Sequence, residues 1–200
     1  YEILNSTDVN KSEELEASAV KVRKMINEGK LSNEVAKEII TSYKRLSGFF
    51  KQALVAVRSS ATAEDLANAS FAGQQISFLN IKGEANLLLK VKECWASLFT
   101  GRSIFYRVEN KIPHETVKIS VIVQKMVQSE VSGVMFSLDP VTNDKDKIII
   151  EAVWGLGEMI VQGSVVPDRY AVQKETFSIL SKEISDQAIQ LIKVGNETKE

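Results

Sequence analysis

The sequence predicts an α+β protein, with helices gathered toward its start and a mainly antiparallel sheet toward its end. Three observations carry this. Apolar residues recur every three or four positions through the first 52 residues and again over residues 84–107. Two short apolar runs, residues 54–57 and 76–81, flank a segment crowded with Ser, Ala and Gly. After Pro113 the apolar period changes from helical to two. With 200 residues, 44% of them hydrophobic, the chain has enough apolar material for one core or two small lobes.

Taken in order, Asn10 and Glu13 form a capping box ahead of Leu15, Ala19, Val22 and Ile26, which share one helical face, and Gly29 stops that helix. Ser32 caps a second helix carrying Val35, Ile39, Tyr43 and Leu46, and Gly48 ends it. The charges in this region read as a solvated face. Strands follow over 54–57 and 76–81. A single long helix is then expected over 84–107, with Leu88, Val91, Trp95, Leu98 and Phe99 at helical spacing. Cys94 lies within it and reads as core. Next, Val117, Ile119, Val121 and Val123 alternate with Lys118, Ser120, Ile122 and Gln124, the pattern of a half-buried strand. Strands over 133–137, 147–154 and 169–173 complete the sheet, with Asn143-Asp144 as a turn between the first two.

Net charge is −1, from 25 Lys+Arg and 26 Asp+Glu, which supports neither a nucleic-acid partner nor a membrane partner. One cysteine excludes an internal disulfide framework and fits a reducing, cytoplasmic setting. No apolar run approaches the roughly 20 residues that span a bilayer.

Arg58 follows the apolar residues 54–57 and precedes a run of small hydroxyl residues. A guanidinium at a strand end offers a fixed fork of donors to an oxyanion, and Gly73 lets backbone come close to a ligand. Two readings stand side by side: a phosphate cradle, or a surface loop with Arg58 paired to Glu64 or Asp65. A strand leading into a bend at Met126 and Val127 offers apolar walls and backbone groups suited to a purine edge. An ordinary hairpin with Met126 in the core is the simpler reading there. Gly155 and Gly157 mark a special turn, and Glu158 directly after them could face a metal–phosphate centre; a structural turn accounts for the glycines equally well. His114, the only histidine, sits in a loop and reads as exposed. No second histidine exists with which it could build a metal site or a triad.

The stretches VAVRSSATAEDL…ASFAGQQ, CWASLF…R…YR, VIVQKMV…SGVMFS and GLGE…V.G.V.PD.Y, in this order, resemble the ATP-binding domain of the pyruvate phosphate dikinase family. The likeness covers residues 53–175 and is closest to the phosphoenolpyruvate synthase branch; the rifampicin phosphotransferases share nearly the same motifs. It implies an ATP-grasp-like fold in which two lobes clamp ATP. Residues 1–52 would be a helical segment of the first lobe, 53–115 the rest of that lobe with its phosphate loop, and 116–200 a truncated second lobe. By resemblance, Arg58 grips the ATP phosphates and Phe71, Ala72, Gly73 and Gln74 close over them. Gln124, Lys125, Met126 and Val127 form the adenine-side hinge, and Glu158 lies near the cleft. The implied reaction makes phosphoenolpyruvate, AMP and phosphate from ATP, pyruvate and water through a phosphohistidine. A nucleotide-binding module without chemistry of its own is the alternative for the chain taken alone.

Several family segments are missing: the Gly-Gly-Lys lysine, the acidic D-x-E and Q-x-R segments that supply magnesium ligands and a second arginine, and the T-S-H carrier histidine. The expectation is therefore an internal fragment, incomplete at both ends, of a larger enzyme. Its Mg2+ ligands, phosphohistidine domain and pyruvate-binding barrel would lie elsewhere in the same chain.

Overall fold

A computed structural model describes residues 1–47, 52–62, 76–194 and 197–199. It divides into two compact units, Tyr1–Met126 and Val127–Glu200. Its sheets are antiparallel throughout and packed with helices, so the α+β expectation holds.

In the first unit α1 (Glu2–Asn5), α2 (Ser12–Glu28) and α3 (Asn33–Ser47) come first. The expected Asn10–Glu13 capping box does not form. The helix begins two residues after Asn10, with Lys11 at its N-cap and no side-chain capping bond there. Glu14 instead turns back and accepts from the Asp8 amide at 2.9 Å, while Asp8 itself holds the Asn10 amide. Ser32 does cap α3, accepting from the Val35 amide at 3.2 Å.

β1 (Val55–Ala61), β2 (Ser77–Ile81) and β3 (Ile119–Lys125) form an antiparallel sheet in the order β2-β1-β3. β1 continues through Arg58, Ser59 and Ser60, so Arg58 sits in mid-strand and not at a strand end. Backbone pairing on both sides of β1 overrides the poor strand preference of its serines. Between β2 and β3, the long helix expected over 84–107 is broken into α4 (Glu84–Ser97) and α5 (Gly101–Glu109). Thr100 breaks it: its hydroxyl accepts from the Ser103 amide and starts a new helix.

One face of this sheet is closed by α3 and α4. Val55, Val57, Leu87, Val91, Tyr43 and Cys94 make its core, joined by Phe78, Val121 and Val123. Tyr43 ties the layers together: its hydroxyl donates to the Ala53 carbonyl at 2.7 Å and accepts from the Gly83 amide at 3.0 Å. Cys94 is buried, as expected, and burial pushes its thiol up to about 11. A second cluster, Leu4, Val9, Ala19 and Ile104, seats α1 and α2 against α5.

In the second unit β4 (Val131–Phe136), β5 (Lys147–Trp154), β6 (Asp168–Gln173) and β7 (Ile179–Glu183) form a sheet in chain order. α6 (Glu158–Gln162) follows β5, and β8 (Ile192–Val194) pairs with β9 (Glu197–Lys199). β3 and β4 do not pair with each other, so the hairpin reading of residues 121–137 fails: β3 bonds to β1, and β4 to β5. The Asn143-Asp144 turn is present, with Asn143 left-handed at φ 58°.

Candidate functional site

Residues alternate faces along a strand, so the core side of β1 fixes the other side. Val55, Val57 and Ser59 are buried; Arg58 between them is exposed. Register then defines its neighbours. Arg58 stands opposite Ser77 on β2 and Ile122 on β3. Two residues away on the same face, Ser60 stands opposite Ser120, and Ala56 opposite Gln124. The Arg58 face of this sheet, on which Ala56 is buried, therefore gathers one guanidinium, three hydroxyls and one carboxamide. Directly opposed residues have Cβ atoms about 5 Å apart. Among the described residues no carboxylate forms an ion pair with Arg58; the arginine ion pairs are those of Arg23 and Arg169. Glu64 and Asp65, the alternative partners, lie outside the described residues, as do Phe71, Ala72, Gly73 and Gln74.

Both flanks of that undescribed stretch are anchored. Ser59 bonds Ile76 through backbone and hydroxyl, at 3.1 Å for the amide that Ile76 donates to Oγ. Thr62 donates its amide to the Lys118 carbonyl at 2.9 Å and accepts the Lys118 amide on Oγ1 at 3.0 Å. The segment thus leaves and rejoins the sheet beside the strand that carries Arg58.

Of the residues expected at the adenine side, Gln124 shares its face of the sheet with Arg58. Lys125 is exposed at the end of β3, opposite Val55. Met126 is half-buried and donates its amide to the Leu54 carbonyl at 2.9 Å, which extends the β1–β3 edge by one bond. Val127, 75% exposed, opens the second unit.

Glu158 begins α6 in the second unit. Its carboxylate accepts from Gln162 Nε2 at 2.9 Å, one helical turn on, and burial raises its pKa. The glycines before it are a structural node. Gly155 has φ 75°, donates to the Glu130 carbonyl at 2.7 Å, and accepts the Ser132 hydroxyl at 2.7 Å. A Cβ on Gly155 would run into the Leu191 carbonyl, with which this strand end forms a parallel bridge.

His114 is not the exposed loop residue expected. It is 6% exposed and accepts a hydrogen bond from the buried Arg107. Folding brings α5 back against the turn before β3, a contact between residues seven apart that no local pattern reports. Among the described residues, no group of three or more His, Cys, Asp or Glu could hold a metal ion.

Sequence reasoning missed Ser60, Ser77, Ser120 and Ile122. Ser60 was reachable by counting in twos from Arg58. Ser77, Ser120 and Ile122 needed the strand register, which the sequence does not spell out.

An exposed guanidinium beside three hydroxyls has the chemistry to receive an anion. The chain belongs to the family described as pyruvate phosphate dikinase, AMP/ATP-binding domain, whose pattern matches residues 1–200. This bears out the resemblance read from the motifs and extends it over the terminal segments. The chain is 48% identical over 196 residues, 96% of its length, to a probable phosphoenolpyruvate synthase of Staphylothermus marinus. It is 47% identical over 194 residues to the phosphoenolpyruvate synthase of Pyrococcus furiosus. It is 44% identical over 199 residues to a probable phosphoenolpyruvate synthase of Methanothermobacter thermautotrophicus. It spans 24% of the length of the first two proteins and 29% of the third.

Proposed function

We propose that this chain is the ATP-holding domain of a phosphoenolpyruvate synthase, a larger cytoplasmic enzyme that converts ATP, pyruvate and water to phosphoenolpyruvate, AMP and phosphate through a phosphohistidine. The observation that carries the proposal is Arg58, exposed in mid-strand among Ser60, Ser77, Ser120 and Gln124, in a chain of an AMP/ATP-binding family.

Phosphoryl transfer asks a protein for positioning and for neutralisation of phosphate charge. In this reading Arg58 supplies a planar, permanently charged fork to the phosphate oxygens. Backbone pairing on both sides of β1 fixes where that fork is rooted, so only its side-chain rotamers remain to be ordered when ATP arrives. Ser77 and Ser60, on the same face, offer hydroxyl donors to the same oxygens. Phe71, Ala72, Gly73 and Gln74 close over the phosphates from the segment that Ser59 and Thr62 anchor. Gln124, Lys125, Met126 and Val127 form the hinge against adenine, the chain supplies both lobes of an ATP-grasp-like fold, and Glu158 lies near the nucleotide. Mg2+ is expected to accompany ATP. The described residues offer no cage for it, so none is assigned to the ion. The phosphohistidine domain and the pyruvate-binding barrel belong to other parts of the same protein.

The test is direct. The full-length protein, supplied with ATP, Mg2+ and pyruvate, forms AMP and phosphoenolpyruvate in equal amounts, and residues 1–200 alone form none. Transfer to an antibiotic but not to pyruvate, or phosphoenolpyruvate formed by residues 1–200 alone, defeats the reading.

A further inference from the structure

A buried charge at the corner between α5 and β3 lies outside nucleotide binding. Arg107 is 0% exposed and His114 only 6%. Arg107 Nε donates to His114 Nδ1 at 2.9 Å, and Nη1 donates to the Leu98 carbonyl at 2.7 Å. The guanidinium lies over the Phe99 ring, 5.4 Å from its centroid. Nη2 has no hydrogen-bond partner among the described residues. Burial pushes Arg107 down to about 10, so it remains a cation at neutral pH.

Nδ1 can accept that bond only when its lone pair is free, so the imidazole is neutral with its proton on Nε2. Adding a proton at Nδ1 removes the acceptor and sets two cations in direct contact. The groups that face His114 are Arg107 from α5, Glu115 from its own 3-10 turn (His114–Thr116), and the Tyr1 amino group; only Glu115 favours the charged imidazole. The corner leads straight into Val117, which is buried, and then into β3, whose register places Ile122 opposite Arg58.

We propose that Arg107 and His114 form an acid-released brace, holding the α5-to-β3 corner while His114 is neutral and letting it go when His114 takes a proton. Burial first, and Arg107 second, hold the His114 pKa below its usual 6.5. The sign follows. Above 6.5 neither the folded nor the unfolded chain carries the proton, and the brace contributes fully. As pH falls from 6.5 through the native pKa, the unfolded chain takes the proton more readily, and the contribution is lost.

Amide hydrogen exchange in the full-length protein tests this locally. The reporters are the Ile112 amide, bonded to the Arg107 carbonyl at 2.8 Å, and the Thr116 amide, bonded to the Pro113 carbonyl at 3.1 Å. Between about pH 7.5 and about pH 5, their protection factors fall, because the native chain resists the proton that the unfolded chain takes up. His114→Asn places an amide oxygen where Nδ1 sits and cannot titrate, so its protection stays level across that range. His114→Gln carries its amide one bond further out and leaves the corner less protected at both pH values. The Ser59 amide in β1, bonded to the Ile76 carbonyl, is the internal control and stays level. A wild-type profile that is flat at Ile112 and Thr116 overturns the proposal, with or without a folded His114→Asn variant. So does a loss shared equally by Ser59, which would be general acid loosening.

Discussion

Arg58→Ala separates a ligand-facing arginine from a structural one. The side chain is exposed, and the strand beneath it is held by backbone pairing to both β2 and β3. Those bonds survive the substitution, and the core side of β1 (Val55, Val57 and Ser59) is untouched. The stability change should therefore stay within about 0.5 kcal/mol, as for surface substitutions that remove no buried contact. Binding should respond very differently. A charged hydrogen-bonding group is worth about 1.5–3 kcal/mol, which weakens ATP binding on the order of tenfold to a hundredfold. Turnover should fall on the order of 100-fold or more if phosphate charge develops against the guanidinium in the transition state. Arg58→Lys keeps the charge and loses the planar fork, and should fall between the two. ATP titration, steady-state turnover and thermal melting on the same three proteins give the answer. A folded Arg58→Ala with normal ATP affinity and turnover would refute the clamp. A large fall in melting temperature with unchanged affinity would mean that Arg58 serves the fold.

Three further outcomes follow from the packing. Tyr43→Phe removes a hydroxyl that both donates to Ala53 and accepts from Gly83, and leaves those groups short of a partner; denaturant titration should show a loss of about 1–3 kcal/mol without a change in ATP affinity. Gly155→Ala forces a side chain into a left-handed backbone and against the Leu191 carbonyl. Denaturant titration should show a loss of more than about 1 kcal/mol. Cys94 should resist alkylation in the native protein at neutral pH and react at the normal rate once denatured, because burial both hides the thiol and holds its pKa near 11; rapid native labelling would contradict the packing around it.

Local pattern alone determined most of the secondary structure. The period-two run from Val117 to Gln124 became β3, the apolar residues before Arg58 began β1, and Ser32 capped α3. Ordered motifs sufficed to identify the family. Two local readings failed, the Asn10–Glu13 capping box and the unbroken helix over 84–107; the other failures were features decided across the chain. Arg58 looked like a strand end because Ser59 and Ser60 are poor strand formers; pairing with β2 and β3 carries the strand past them. The partners of Arg58 on its face depend on register, a relation between residues 58, 77 and 122 that no local window contains. His114 looked like a loop histidine because it sits in Ile-Pro-His-Glu just before a strand, whereas its burial comes with the chain's return onto Arg107. Sequence period reports which face of an element is apolar. Only tertiary pairing decides which residues of other elements meet the opposite face, because that choice is made by the summed packing and hydrogen bonding of the whole unit.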